Sequence, residues 1–248
     1  MDLGLAGKKA AVAASSAGLG FESAAALAAE GVQVALCGRD RARVDDAAAR
    51  IGGGTIGLVA DVGNPAGATG FADAAVEALG QIDILVTNAG GPPPGNFTST
   101  ALEAYGPAID LNLLSVVAMC KAAVAPMQAR GWGRVVAITS ISVRQPIEML
   151  ILSNTARAGA TAFLKTLARE VAADGVTVNS VQPGLHATDR LKQLHGDDTE
   201  SAARGIPAGK VGDPADFGAV VAFLCSQQAQ FITGAALPID GGAYAGLQ

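Results

Sequence analysis

Residues 10–38 read AAVAASSAGLGFESAAALAAEGVQVALCG, and the order of residue types in this stretch decides the fold. A short Ala/Val run breaks at a Ser/Gly turn, an Ala-rich stretch follows, and a second apolar run ends at Cys37-Gly38. Short apolar runs bounded by turn residues suit buried strands, whereas longer Ala-rich amphipathic stretches suit helices. Strand, helix and strand in that order make a βαβ unit, whose helical crossover sets the two strands parallel.

The alternation continues outward. DRARVDDAAARI (residues 40–51) is followed by TIGLVADV (55–62), and ADAAVEALG (72–80) by IDILVTNAG (82–90). A long helix is predicted around Tyr105 to Arg130, then the strand RVVAITS, a helix from about Leu152 to Ala173, and the strand TVNSVQPG. A last helix, PADFGAVVAFLCS, leads to a final strand near ALPID. About seven strands and six or more helices predict an α/β fold, a doubly wound parallel sheet of Rossmann type. No linker or low-complexity block divides the chain, so residues 1–248 are expected to form a single domain. Ligands of such sheets bind beyond the carboxyl ends of the strands, where the Asn88 and Ser140 turns fall.

Half of the residues are hydrophobic and only 4% are aromatic, while Gly reaches 32, a composition suited to close helix-on-sheet packing. The formal charge of −5 gives no electrostatic footprint for nucleic acid or an anionic membrane, so a small-molecule partner is expected. Cys37, Cys120 and Cys225 are widely spaced in apolar surroundings, which argues for buried reduced thiols and against a disulfide framework or a metal site. With no signal-peptide pattern and no long charge-free apolar run, the expected location is cytoplasmic.

At the first strand-to-helix turn the chain reads Ala13-Ala14-Ser15-Ser16-Ala17-Gly18-Leu19-Gly20. A glycine-rich turn that opens a helix lets backbone amides approach a pyrophosphate, and the helix N-terminus favours the negative charge. Ser15 and Ser16 add hydroxyls where a phosphate would lie. Tight helix–strand packing without a ligand would use the same glycines. About twenty residues on, where NAD-binding domains place an acid on the ribose hydroxyls, stand Gly38 and Arg39. An Arg there can fork onto a 2′-phosphate with no acid to repel it, so NADP(H) is favoured over NAD(H). Asp40 is expected to cap the next helix.

With these motifs and those that follow them, nearly the whole chain resembles the short-chain dehydrogenase/reductase family, and most of all its β-ketoacyl-carrier-protein reductases and their divergent relatives. The family's first turn reads Thr-Gly-x-x-x-Gly-x-Gly; Gly18 and Gly20 match it, whereas Ala13 and Ala14 replace the Thr and the first Gly. Asp61-Val62 matches the adenine-contacting pair, Asn88-Ala89-Gly90 the turn after the fourth strand, and Asn112 the helix position of the catalytic Asn. Pro183-Gly184 with Thr188 matches the loop that holds the nicotinamide carboxamide, and Ile232-Thr233-Gly234 with Asp240-Gly241-Gly242 the C-terminal signature. Each has a structural reading too: Asn88 as a tie between strands, Asn112 as a helix kink or water site, Asp240 as a turn device.

The resemblance implies a Ser–Tyr–Lys active site, and here the chain departs from it. Ser140 is in place, but the Tyr position reads Ser153 and the Lys position Arg157. A phenol lowered toward neutrality by the Lys donates the proton in the family site. Ser153 is a far weaker and shorter acid, and Arg157 keeps charge and ribose contacts without being able to shuttle a proton. Tyr105 and Tyr244 lie away from the expected site; His186, within the Pro183–Thr188 loop beside the expected nicotinamide, is a candidate substitute, with His195 and Glu148 weaker ones. Together these observations imply a divergent NADP(H)-dependent oxidoreductase of the ketone/alcohol or 3-oxoacyl-thioester class. Its catalytic set would be Asn112, Ser140, Ser153 and Arg157, and it would assemble as a homotetramer. A non-catalytic dinucleotide-binding protein, redox-sensing or structural, is the alternative.

Overall fold

The computed structural model describes residues 1–189, 191–192 and 199–247; His195 lies outside them. The strands are β1 (Lys9–Val12), β2 (Gln33–Gly38), β3 (Ile56–Val59), β4 (Ile84–Thr87), β5 (Gly133–Ile138), β6 (Val176–Pro183) and β7 (Ala236–Ile239). They form one seven-stranded sheet in the order β3-β2-β1-β4-β5-β6-β7. All its pairings are parallel, as the repeated βαβ pattern requires.

Alternation along each strand divides the core in two. Ala11, Ala13, Leu85, Val135 and Ala137 face one side, where they meet α3 (Pro65–Leu79), α5 (Ser115–Ala129) and α6 (Ile151–Val171). Ala10, Val12, Ile84, Val86, Val136 and Ile138 face the other, against α1 (Gly18–Ala29), α2 (Arg41–Ile51) and α8 (Pro214–Cys225). Two short helices are also described, α4 (Tyr105–Ile109) and α7 (Thr199–Ala203). Where α1 crosses α8, a Cβ on Gly218 would fall 2.6 Å from the Glu22 carbonyl carbon, so only glycine permits this approach. The caps follow local chemistry: Asp40 accepts from Arg43 N at 2.9 Å, as expected, and Asn64 from Gly67 N at 2.9 Å ahead of Pro65.

The long helix predicted from Tyr105 to Arg130 is interrupted. Between α4 and α5 the backbone passes through a π-helical segment, Asp110–Leu114, centred on Asn112. By length and composition the run Leu102–Ala129 would suffice to cross a membrane. It lies on the sheet, however, with Met119, Cys120, Ala123 and Met127 buried.

The order reverses between β1 and β4, where crossovers leave for opposite faces. The crevice at that point opens beyond the carboxyl ends of β1, β4 and β5, and it receives the turns that carry most of the candidate residues.

Candidate active site

The Ala13–Gly20 turn is held from beneath. Ala13 N donates to Val86 O at 3.0 Å, Ser15 N to Cys37 O at 2.8 Å, and Ala14 N to the Cys37 sulfur at 3.3 Å. Ala14 adopts φ 46°, a left-handed conformation that costs a residue with a Cβ about 1–2 kcal/mol, which explains why the family prefers glycine there. The strained peptide turns the Ala14 carbonyl toward Asn88, whose Nδ2 donates to it at 3.0 Å. Asn88 therefore ties the β1 turn to the end of β4. A Cβ on Gly20 would lie 2.7 Å from Ala14 O and 2.8 Å from Asn88 Nδ2, so the third glycine of the motif is required by this contact.

Helix α1 opens from this turn at Ala17, a residue whose side chain makes no cap. The first amides of a helix lack intrahelical partners, and Ala is among the poorest residues at this position. Its N-terminus thus presents donors to the crevice, where a Cβ on Gly18 would lie 3.8 Å from Thr188 Cγ2 of the loop after β6. These features fit a pyrophosphate. One expected donor is corrected: the Ser15 hydroxyl is fully buried, donates to Val12 O at 2.6 Å and accepts from Cys37 N at 3.3 Å. It braces β1 against β2 and is spent as a phosphate donor, whereas Ser16 and Leu19 are partly exposed at the turn.

Ser16 also bears on the end of β2. A Cβ on Gly38 would meet Ser16 Oγ at 2.7 Å and Val44 Cγ2 at 3.0 Å, so any side chain at this position would displace the Ser16 hydroxyl. Arg39, next in sequence, is exposed. At the end of β3, Asp61 is exposed and accepts from Gly63 N at 2.9 Å, while Val62 is buried.

The Asn112, Ser140, Ser153 and Arg157 positions converge from three elements. Arg157, buried on α6, donates through Nη1 to Ile138 O at 3.0 Å and Thr139 O at 3.2 Å. Through Nη2 it reaches Ala89 O at 3.5 Å and Gly90 O at 3.4 Å. One guanidinium thus clamps the ends of β4 and β5, the strands that lead to Gly90 and Ser140. Asn112 Nδ2 donates to the same Gly90 carbonyl at 2.9 Å, and its buried Oδ1 has no partner among the described residues. The π segment presents Asn112 to the Gly90 turn while α4 and α5 keep their apolar residues inward; π-bulges often occur at functional positions. Ser140 caps a short 3₁₀ turn, Ile141–Val143, its hydroxyl accepting from Ser142 N at 3.1 Å. Ser153 is buried in the first turn of α6.

His186 is part of the packing. It is 6% exposed, its Nδ1 lies 3.2 Å from Gly184 O, and its ring meets Phe217 edge-on at 5.2 Å. Burial pushes its pKa below the usual imidazole value, only partly opposed by the Gly184 bond and by Asp213. The imidazole thus serves the packing of this loop against α8. Thr188 is partly exposed, and Pro183-Gly184 sits against Asp240, whose carboxylate takes the amides of Gly242 at 2.9 Å and Tyr244 at 2.8 Å as a turn device. Tyr244 lies under the Arg144 guanidinium in the C-terminal tail. The three cysteines are buried and free, and burial raises each thiol to about 12.

A cleft that sequence reading missed, apart from Glu148, lies at the first turn of α6, the turn that holds Ser153. It is an open cleft of about 500 Å³ between the loop after β4 and the loop before α6, lined by residues that include Asn96, Phe97, Ile147, Glu148, Ile151 and Asn154. The sequence signal was Phe97, an aromatic in a Gly/Pro-rich loop, which is 84% exposed.

Residues 13–244 match the family described as enoyl-(acyl carrier protein) reductase. The 3-oxoacyl-[acyl-carrier-protein] reductase FabG of Vibrio cholerae is 32% identical over 242 residues, covering 98% of this chain and 99% of that protein. The human dehydrogenase/reductase SDR family member 4 is 34% identical over 244 residues, 96% of this chain and 88% of that protein. The crystal structure of L-sorbose reductase from Gluconobacter frateurii, complexed with NADPH and L-sorbose, superposes with a TM-score of 0.93 at 30% identity over the whole of both chains. With this sheet order, these turns and these relatives, the chain belongs to the short-chain dehydrogenase/reductase family of oxidoreductases.

Proposed function

We propose that this protein is an NADP(H)-dependent oxidoreductase that interconverts a ketone and an alcohol, on a 3-oxoacyl thioester or another small carbonyl compound. The observation that carries the reading is the uncapped N-terminus of α1, set beside Thr188 and facing the crevice that Arg157 and Asn112 floor. The backbone at Ser16, Gly18, Leu19 and Gly20 takes the pyrophosphate. Arg39 takes the 2′-phosphate, in the space that Gly38 leaves without an acid. Asp61 and Val62 flank the adenine, Asn88, Ala89 and Gly90 the ribose side, and Pro183, Gly184 and Thr188 the carboxamide. When bound, the cofactor supplies or accepts hydride.

The chain's own chemistry is then positional. Ser140 and Ser153 hydrogen-bond the substrate oxygen, and Arg157 places a permanent positive charge below it, which favours the developing alkoxide. Neither hydroxyl is acidic enough to be the proton source, so the proton comes from water, for which the unpartnered Asn112 Oδ1 offers an acceptor. The protein works in the cytoplasm as a homotetramer; the exposed Phe231, and Leu237 on the edge strand β7, support association. A monomer in light scattering would refute that assembly.

Titration of the protein with NADPH and NADH, followed by absorbance across a panel of ketones and 3-oxoacyl thioesters, tests the reading. NADPH is expected to bind more tightly, and Arg39→Ala to remove about 1–3 kcal/mol of the preference. One observation, the aliphatic Ser153 in place of a phenol, favours a second reading as a non-catalytic dinucleotide-binding protein. Tight NADPH binding without turnover on any carbonyl would select it.

A further inference from the structure

The cleft beside Ser153 has an uneven chemistry. Phe97, Pro146, Ile147 and Ile151 give it an apolar wall, and Glu148 is the one charged residue among its described lining residues. Asn154, in the same wall, donates through Nδ2 to Ile147 O at 2.9 Å and so ties the loop that carries Glu148 to the start of α6. The cleft thus sets a single negative charge beside an apolar space of about 500 Å³, within the range of small-ligand sites.

We propose that this cleft selects an amphipathic carbonyl or alcohol substrate whose end remote from the reacting carbon is a protonated amine, and that Glu148 is the specificity-determining residue. The apolar body lies on Phe97 and Ile151, and the ammonium meets the Glu148 carboxylate. Carboxylate-tailed substrates, with the same body, are repelled. The proposal rests on the oxidoreductase reading only in placing the reacting carbon at Ser153.

Three ligands of nearly one shape separate the charge from the body: 4-acetylbenzylamine, 4-methylacetophenone and 4-acetylbenzoate. Their dissociation constants are measured by saturation-transfer NMR on the NADPH-loaded protein, on Glu148→Gln and on Phe97→Ala, with NADPH oxidation followed separately. The cation is expected to bind about 10-fold more tightly than the anion, the order of one partly screened charge pair gained and one repulsion avoided. In Glu148→Gln the two should agree within about 2-fold, whereas Phe97→Ala should weaken all three alike. Equal binding of cation and anion by the wild type, tighter binding of the anion, a preference that survives Glu148→Gln, or no binding of any of the three overturns the proposal. Selective binding without NADPH oxidation leaves the selectivity standing and counts against the oxidoreductase reading instead.

Discussion

Arg157→Met removes the guanidinium that holds the ends of β4 and β5 together and leaves an unbranched apolar stem in its place. Of its four main-chain contacts, those to Ile138 and Thr139, at 3.0 and 3.2 Å, are ordinary hydrogen bonds; those to Ala89 and Gly90, at 3.5 and 3.4 Å, are long. A hydrogen bond to a charged group contributes roughly 1.5–3 kcal/mol, so the two good ones contribute about 3–6 kcal/mol. Against this, the buried charge no longer has to be desolvated, and such replacements by apolar residues recover several kcal/mol. The net expectation is a loss of about 2–3 kcal/mol, which for a chain of this size lowers Tm by about 5–10 °C. Arg157→Lys should fall between, because an ammonium keeps the charge without the planar fork. Urea unfolding read by circular dichroism gives the stability, and fluorescence titration gives the affinity for NADPH, expected to drop about tenfold as the crevice floor loosens. A Met variant as stable as the wild type with unchanged NADPH affinity would refute the clamp.

Gly218→Ala should destabilise by about 1–3 kcal/mol in the same urea assay, because the new methyl must push α8 from α1; a stabilised variant would contradict the close crossing. His186 has a folded-state pKa below its unfolded value, so its stabilising contribution is complete above about pH 6.5 and is lost as pH falls through the folded pKa. His186→Asn should therefore flatten the acid-side fall of stability between about pH 7 and 5. Ser153→Tyr, alone and with Arg157→Lys, should raise reduction of a ketoacyl thioester by up to about 10²–10⁴-fold, the usual range for a general acid. No gain in a variant that folds and binds NADPH would show that the proton donor is not what limits turnover.

The sheet was legible in the sequence because burial of strand residues and their period of two are local properties. Residues 10–38 alone carry β1, α1 and β2, and each later run found its place in the parallel order. What was not legible is direction. Ser15 and Ser16 are neighbours of one residue type, yet the first turns under the sheet to Val12 and Cys37 while the second faces Gly38. Between strand and serines stands Ala14, in a left-handed conformation whose carbonyl is bonded by Asn88, far along the chain. In the same way His186 sits in the loop where it was expected, but Phe217 and Gly212, contributed by a later stretch, close around its ring. The π segment escaped notice because its residues, DLNLL, have no propensity that separates them from an ordinary helix.

The Gly90 carbonyl accepts from both Asn112 and Arg157, and this makes the two residues partners in a thermodynamic cycle although they never touch each other in these bonds. Whichever donor is lost first, the other still occupies the oxygen, so the first loss is cushioned and the second exposes an acceptor with nothing left to meet it. Effects of substitutions at positions 112 and 157 should accordingly fail to add. A scan of single alanines would then underrate both residues.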